Sequence, residues 1–177
     1  MDSKLDFIFK RRSVRKYTNE PVSATQLNSL LEAAMSAPSA VAKDPWRFII
    51  VRDQKNLEAI SSFLPNGSFL SSAACAIIIC GDINKAHANS LSYMIQDCSA
   101  AIENILLAAT ALNLGACWLG VHPREDRIEN ITNFCKLPSH IIPIGVISLG
   151  HPVKQPEPRS RYNPKLVIQE KWSTENN

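Results

Sequence analysis

Two groups of arginines lie near opposite ends of this 177-residue sequence, and they are the residues best suited to bind a charged ligand. The first group is Arg11, Arg12 and Arg15, with Ser13 among them, and the second is Arg159 and Arg161. Guanidinium groups offer forked N–H donors that match phosphate oxygens, and a serine adds a hydroxyl and a backbone N–H. The first group, taken alone, is consistent with either a solvated basic turn or an anion-binding site.

The cysteines and histidines give no comparable pattern. The five cysteines are scattered and form no C-x-x-C pair, which indicates free thiols in a reducing compartment, so we expect a cytoplasmic protein. The four histidines lack the spacing of metal ligands, and we predict no metal site. A net charge of +3 is too small for a nucleic-acid footprint, and we expect no nucleic-acid partner.

Residues 38–46 form a loop of small side chains bracketed by Pro38 and Pro45. The preceding segment predicts a helix that Ser23 and Gln26 open with a capping box and that ends near Ala37, before the proline. The loop is consistent with a plain connector. Its small side chains would also let the backbone approach a flat ligand closely.

The most apolar stretch of the chain is 90–121. Apolar residues recur there at three- and four-residue steps as far as Leu112, which predicts a helix buried nearly all round. Gly115 is the expected left-handed cap, and 117–121 is expected to form a short buried strand. Polar and charged residues interrupt the helix, so we predict no membrane span. One domain of this size can hardly cover such a helix, and a second subunit is the simplest cover.

The remaining elements fit one domain over residues 1–177. Strands are predicted at 47–51, 75–80 and 140–149, and helices near Phe9, at 53–63 and after Pro123. An apolar segment, 166–168 with Trp172, follows a proline-rich stretch and is expected to form a short terminal strand. We expect this arm to dock on a second subunit.

Several segments, taken in this order, resemble landmarks of the FMN-dependent nitroreductase family. They are 11–15 (RRSVR), 37–39 (APS) with 45–48 (PWRF), 96–97 (QD), 113–120 (NLGACWLG), 149–152 (LGHP) and 159–161 (RSR). The resemblance covers nearly the whole chain. The sequence departs from the family pattern at Ala42 and Asp44, where many relatives have asparagine and glutamine. The polar contacts that those amides make are therefore absent or changed.

The resemblance implies an α+β homodimer with a mixed, mainly antiparallel sheet flanked by helices and a C-terminal arm exchanged between the subunits. FMN would occupy two clefts at the subunit interface. The phosphate and ribityl end of FMN would be held by Arg11, Arg12, Ser13, Arg15, Arg159 and Arg161. The ring would lie against Pro38, Ser39 and Ala40 of one subunit and against the backbone of Leu119, Gly120 and Val121 of the other.

The activity implied is the reduction of a nitroaromatic, a quinone or a related small electron acceptor with NADH or NADPH. Donor and acceptor would stack on the ring in turn, in a ping-pong sequence, and chemistry at N5 of FMN demands no catalytic side chain. Cys117 is then expected to be a packed small hydrophobe and not a redox thiol. Two alternatives remain open: a specialised branch, such as a reductive dehalogenase or flavin-modifying enzyme, and a non-catalytic flavin-binding redox protein.

Overall fold

Four antiparallel strands form the central sheet of the protein. The computed structural model describes residues 3–172. The strands are β1 (Trp46–Val51), β2 (Cys75–Asp82), β3 (Gly115–Gly120) and β4 (Ile141–Gly150), in the spatial order β1-β2-β4-β3. The helices are α1 (Asp6–Lys10), α2 (Ala24–Met35), α3 (Gln54–Phe63), α4 (Leu91–Ala111) and α5 (Glu125–Cys135). This arrangement confirms the predicted α+β class with a mainly antiparallel sheet.

Strand β2 is buried along its whole length because helices cover both faces of the sheet. On one face, Ile77 and Ile79 pack in a core shared with α2 and α4. On the other face, Ala76 and Ile78 pack in a core shared with α3 and α5. Successive side chains of a strand point to opposite faces, so a strand covered twice needs a continuous apolar run. The buried strand predicted at 75–80 is therefore confirmed.

Capping side chains mark the first turns of α2 and α3. The Ser23 hydroxyl accepts the Gln26 N–H at 3.1 Å, and the Gln26 side chain accepts the Ser23 N–H at 3.0 Å, so the capping box is complete. The helix ends at Met35, two residues before the predicted end. Asp53 caps α3 by accepting the Asn56 N–H at 3.0 Å, and the helix predicted at 53–63 is confirmed.

Helix α4 is the longest helix among the described residues, and one of its faces is completely buried against the sheet. Met94, Cys98, Ile102 and Ile105 are inaccessible to solvent. Its outer side is only partly covered in the single chain, and Tyr93 near its start is 44% exposed. The prediction that α4 is buried nearly all round therefore depends on a second chain. In residues 3–172, no helix combines the length and apolar character needed to cross a membrane.

The predicted cap of α4 is wrong by two residues. Asn113, with φ of 58°, takes the left-handed conformation, and Gly115 is already the first residue of β3. Asparagine tolerates this conformation better than most residues. Gly115 is needed for another reason: a Cβ atom there would lie 2.7 Å from Cγ1 of Val14. The glycine thus lets the N-terminal segment approach the start of β3.

The predicted terminal strand at 166–168 is also wrong for the single chain. The segment instead forms a short 3₁₀ turn, Pro164–Leu166, capped by the Asn163 side chain at the Lys165 N–H. A strand needs a neighbour for its backbone groups, and within the described residues none pairs with this segment. Leu166 is 79% exposed and Trp172 is 70% exposed, so apolar surface on the arm is uncovered in the single chain.

Candidate functional site

The candidate site lies along β3, which is the outer strand of the sheet next to β4. The N-terminal segment runs beside this strand because the Val14 N–H donates to the Ala116 carbonyl at 2.9 Å, in a parallel bridge at Ser13. A second bridge joins Tyr17 to Pro152 after β4. Both bridges hold the residues between Arg11 and Tyr17 against the sheet edge.

A buried tyrosine fixes the end of this N-terminal segment. The Tyr17 hydroxyl donates to the Val14 carbonyl at 2.7 Å and lies 2.6 Å from the Ser148 hydroxyl on β4. Burial raises the pKa of Tyr17 well above its ordinary range, so the hydroxyl remains protonated and available as a donor. The backbone that carries Ser13 and Arg15 is therefore anchored at a defined place on the sheet.

Four of the predicted arginines meet in one cavity of about 320 Å³, which we call the four-arginine cavity. It is lined by Ile8, Phe9, Arg11, Arg12, Glu103, Arg159, Ser160, Arg161 and Tyr162. The tail is attached to the end of α1 because the Arg159 N–H donates to the Phe9 carbonyl at 3.0 Å. Arg12 donates to the Glu157 carbonyl at 3.2 Å. Folding thus unites two basic groups that are about 145 residues apart in sequence.

The four-arginine cavity carries an excess of positive charge. Its one lining carboxylate, Glu103, lies 3.6 Å from Nε of Arg11. This pair neutralises at most one of the four guanidinium groups and is partly open to solvent. Several guanidinium groups around one small cavity repel one another unless an anion binds between them. The cavity therefore has the chemistry of an anion site, and a phosphate fits its donors.

Arg15 lies in a second cavity of about 250 Å³ at the end of β3, which we call the strand-end cavity. It is lined by Arg15, Leu64, Asn66, Phe69, Cys117, Trp118, Leu119, Gly120 and Arg127. The Arg15 guanidinium lies over the Phe69 ring, 5.7 Å from its centroid. Two predicted ring contacts, Leu119 and Gly120, are in this cavity, whereas Arg15 was predicted at the phosphate end.

Gly120 leaves open space at the strand-end cavity. A Cβ atom built on Gly120 would meet no atom of the described residues within 4 Å. At Gly145, the residue paired with it on β4, a Cβ atom would collide with the Trp118 indole nitrogen. The backbone of Gly120 is thus accessible to a ligand, and a flat ring could approach it closely.

Two predicted residues of this region, Ser13 and Val121, lie outside both cavities. Ser13 lines neither cavity and contacts the Cys117 thiol beside the bridge to β3. Val121 is completely buried, and its N–H donates to the Ile144 carbonyl at 3.2 Å. Burial raises the pKa of the Cys117 thiol above its ordinary value of 9.0, with the Arg15 charge opposing it. Cys117 is therefore neutral near pH 7.

The 38–40 loop contributes to neither cavity of the same chain. The Asp44 N–H donates to the Ser39 hydroxyl at 3.0 Å, and this hydroxyl donates to the Asp44 carboxylate. The Ala40 N–H donates to Asp97 on α4 at 2.9 Å. Asp97 is 5% exposed, so the loop is attached to α4 by a buried carboxylate. The loop has a defined shape, and its predicted role at a partner's ring remains a prediction.

Several residues that line the strand-end cavity were not predicted as site residues, among them Asn66, Phe69 and Arg127. Asn66 lies in the turn at 65–68, Phe69 lies in the 3₁₀ helix Ser68–Ser72, and Arg127 lies in the first turn of α5. A turn asparagine carries no signal that separates binding from turn formation. Arg127 does carry one, because a cation in the first turn of a helix is disfavoured by the helix dipole.

Comparisons with known proteins agree with this fold. The model of the nitroreductase family matches residues 8–64 and 60–151. A protein of Methanothermobacter thermautotrophicus, provisionally named NADH dehydrogenase/NAD(P)H nitroreductase, is 44% identical over 168 residues, which cover 95% of this chain and 87% of that protein.

Two crystal structures are also similar to the chain. One, a Parabacteroides distasonis protein with the same provisional name, has a TM-score of 0.91 and 40% identity and covers 97% of this chain and 100% of its own. The other is a provisionally named nitroreductase of Desulfovibrio desulfuricans in complex with FMN. It has a TM-score of 0.82 and 29% identity, and the match covers 98% of this chain and 99% of that chain. The chain belongs to the nitroreductase family.

Proposed function

We propose that this protein binds FMN and uses NADH or NADPH to reduce a nitroaromatic, a quinone or a related small electron acceptor. The observation that carries the proposal is the meeting of Arg11 and Arg12 with Arg159 and Arg161 in one cavity. The Desulfovibrio desulfuricans structure, which contains FMN, and the nicotinamide-dependent names of the relatives support the choice of cofactor and donor.

The residues present fit both ends of FMN. The four-arginine cavity offers charge-assisted donors for the phosphate. The strand-end cavity offers the open backbone of Gly120 and the adjacent Leu119 to the edge of the ring. Arg12 and Arg15, one in each cavity, are three residues apart, at most about 10 Å of extended chain. A molecule with a phosphate at one end and a flat ring at the other would bridge this separation.

The residues of the chain have a binding and orienting role in this proposal. When bound, FMN supplies hydride acceptance and two-electron transfer. The arginines of the four-arginine cavity would fix the phosphate, and the backbone of Leu119 and Gly120 would set the position of the ring edge. One stacking position on the ring would serve donor and acceptor in turn, which is a ping-pong sequence.

The proposed active form is a homodimer. An apolar hollow of about 410 Å³ on the outer side of α4 is lined by Phe7, Ala33, Ser36, Asn104, Leu107, Ala108 and Ala111. The arm residues Leu166 and Trp172 are also exposed in one protomer. Burial of these surfaces against a second copy is favourable at about 25 cal/mol per Å² of apolar area. The same assembly would bring the 38–40 loop of one protomer to the ring bound by the other.

If Arg161 contacts the phosphate, Arg161→Ala should lose affinity for FMN and keep its affinity for riboflavin. Removing one charge-assisted donor should weaken FMN binding by about 10- to 150-fold, because such a contact contributes about 1.5–3 kcal/mol. Riboflavin, which lacks the phosphate, should bind the variant nearly as it binds the wild type. Fluorescence titration with both flavins measures this difference. Arg124→Ala, on an exposed arginine outside both cavities, is the matched control, and unchanged FMN affinity in Arg161→Ala would remove this arginine from the site.

If the exposed arm docks on a second copy, removing its apolar side chains should weaken dimerisation and FMN retention together. Replacing Leu166 and Trp172 with serine should weaken the dimer, because an interface of this kind buries about 2,000 Å² or more and relies on apolar anchors. Analytical ultracentrifugation and the FMN content of each species measure the two effects. Val153→Ser, at a residue 63% exposed outside the arm, is the control. A wild-type monomer that retains FMN would contradict the shared site.

A shared stacking position predicts parallel double-reciprocal plots when NAD(P)H and acceptor are varied. The rate should also change little between about pH 6 and 8, where a catalytic histidine would titrate. His122, which follows β3 and lines neither cavity, can be replaced with glutamine with only a few-fold effect on kcat. Intersecting plots, or a loss of about 100-fold or more in kcat with FMN bound, would instead indicate proton transfer by the protein.

A further inference from the structure

Arg127 extends from the first turn of α5 to the end of β3. Its Nη1 donates to the Gly120 carbonyl at 2.7 Å, so its guanidinium group is held directly beside the strand-end cavity. Gly120 is the residue with the open backbone in this cavity. The contact joins α5 to β3 and holds a positive charge at the place where the ring edge of a flat ligand would lie.

The donors of Arg127 are not all used by the protein. Its Nε is buried and has no acceptor among the described residues. Neither Arg127 nor Arg15 belongs to any ion pair within residues 3–172. A buried donor without an acceptor is unfavourable, and this cost applies to the Nε of Arg127. Residues that retain such a cost in a cavity are candidates for binding a ligand.

The two cavities differ in whether a carboxylate lies beside the guanidinium groups. The four-arginine cavity includes the carboxylate of Glu103, whereas the residues lining the strand-end cavity include two guanidinium groups and no carboxylate. Phe69 and Trp118 add aromatic surface to it. The combination suits a flat aromatic group that carries or gains negative charge, and it provides two cations near one edge of that group.

We propose that Arg127, together with Arg15, contacts the ring of bound FMN and stabilises the negative charge that the ring gains on reduction. A hydride from NAD(P)H brings two electrons and one proton and leaves NAD(P)⁺, so one negative charge is added to the ring. Two guanidinium groups beside that charge favour the reduced form over the oxidised form. This inference rests on the proposed function, because it requires FMN in the strand-end cavity.

The test is the midpoint potential of bound FMN in Arg127→Gln, measured by redox titration with the visible spectrum as the readout. The preference for reduced over oxidised FMN should fall about tenfold, which lowers the potential of a two-electron couple by about 30 mV. Arg127→Lys retains the charge and should remain close to the wild type. Arg124→Gln removes the same charge from an exposed position earlier in the chain and should cause no shift.

Each outcome bears on the proposal. Equal potentials in the wild type and Arg127→Gln, with FMN bound in both, overturn it, as does an equal shift in Arg124→Gln. An equal fall in Arg127→Lys and Arg127→Gln overturns the role of the charge and leaves only the contact with Gly120. If Arg127→Gln does not fold, Arg127→Met replaces it, and a wild-type potential at or below that of free FMN overturns the proposal without any variant. A wild-type protein that binds no FMN would instead contradict the proposed function.

Discussion

The Tyr17 hydroxyl is buried between the Val14 carbonyl and the Ser148 hydroxyl, and this contact attaches the N-terminal segment to β4 near its end. The rest of the site depends on that attachment. It keeps Val14 on the edge of β3, where Gly115 leaves room for it. Arg11 and Arg12 then lie at one cavity, and Arg15 lies at the other. The buried sheet is the rigid support that such a charged surface segment needs.

Positive charge is distributed over two cavities with different surroundings. Where the tail meets α1, several guanidinium groups surround a small polar space that also contains Glu103. At the end of β3, two guanidinium groups lie beside aromatic surface and open backbone. This separation suits a ligand with a permanent anion at one end and a flat ring at the other. It also explains why Arg15, close in sequence to Arg11, contacts a different part of the site.

The sequence predicted the features that local signals determine, such as the capping box at Ser23 and the twice-covered strand β2. It did not predict features that arise from contacts distant in sequence. Gly115 resembled a helix cap, although its packing against Val14 is what requires a glycine. The apolar arm resembled a strand, but none of residues 3–172 pairs with it. Arg127 reaches the site only because α5 packs beside the end of β3.

A crystal structure of the protein with FMN tests the central claim most directly. We expect two protomers in each assembly, with the phosphate in the four-arginine cavity and the ring edge along Leu119 and Gly120. We also expect the 38–40 loop of the second protomer to cover the ring. FMN bound away from the four-arginine cavity, or bound entirely within one protomer, would contradict the proposed shared site.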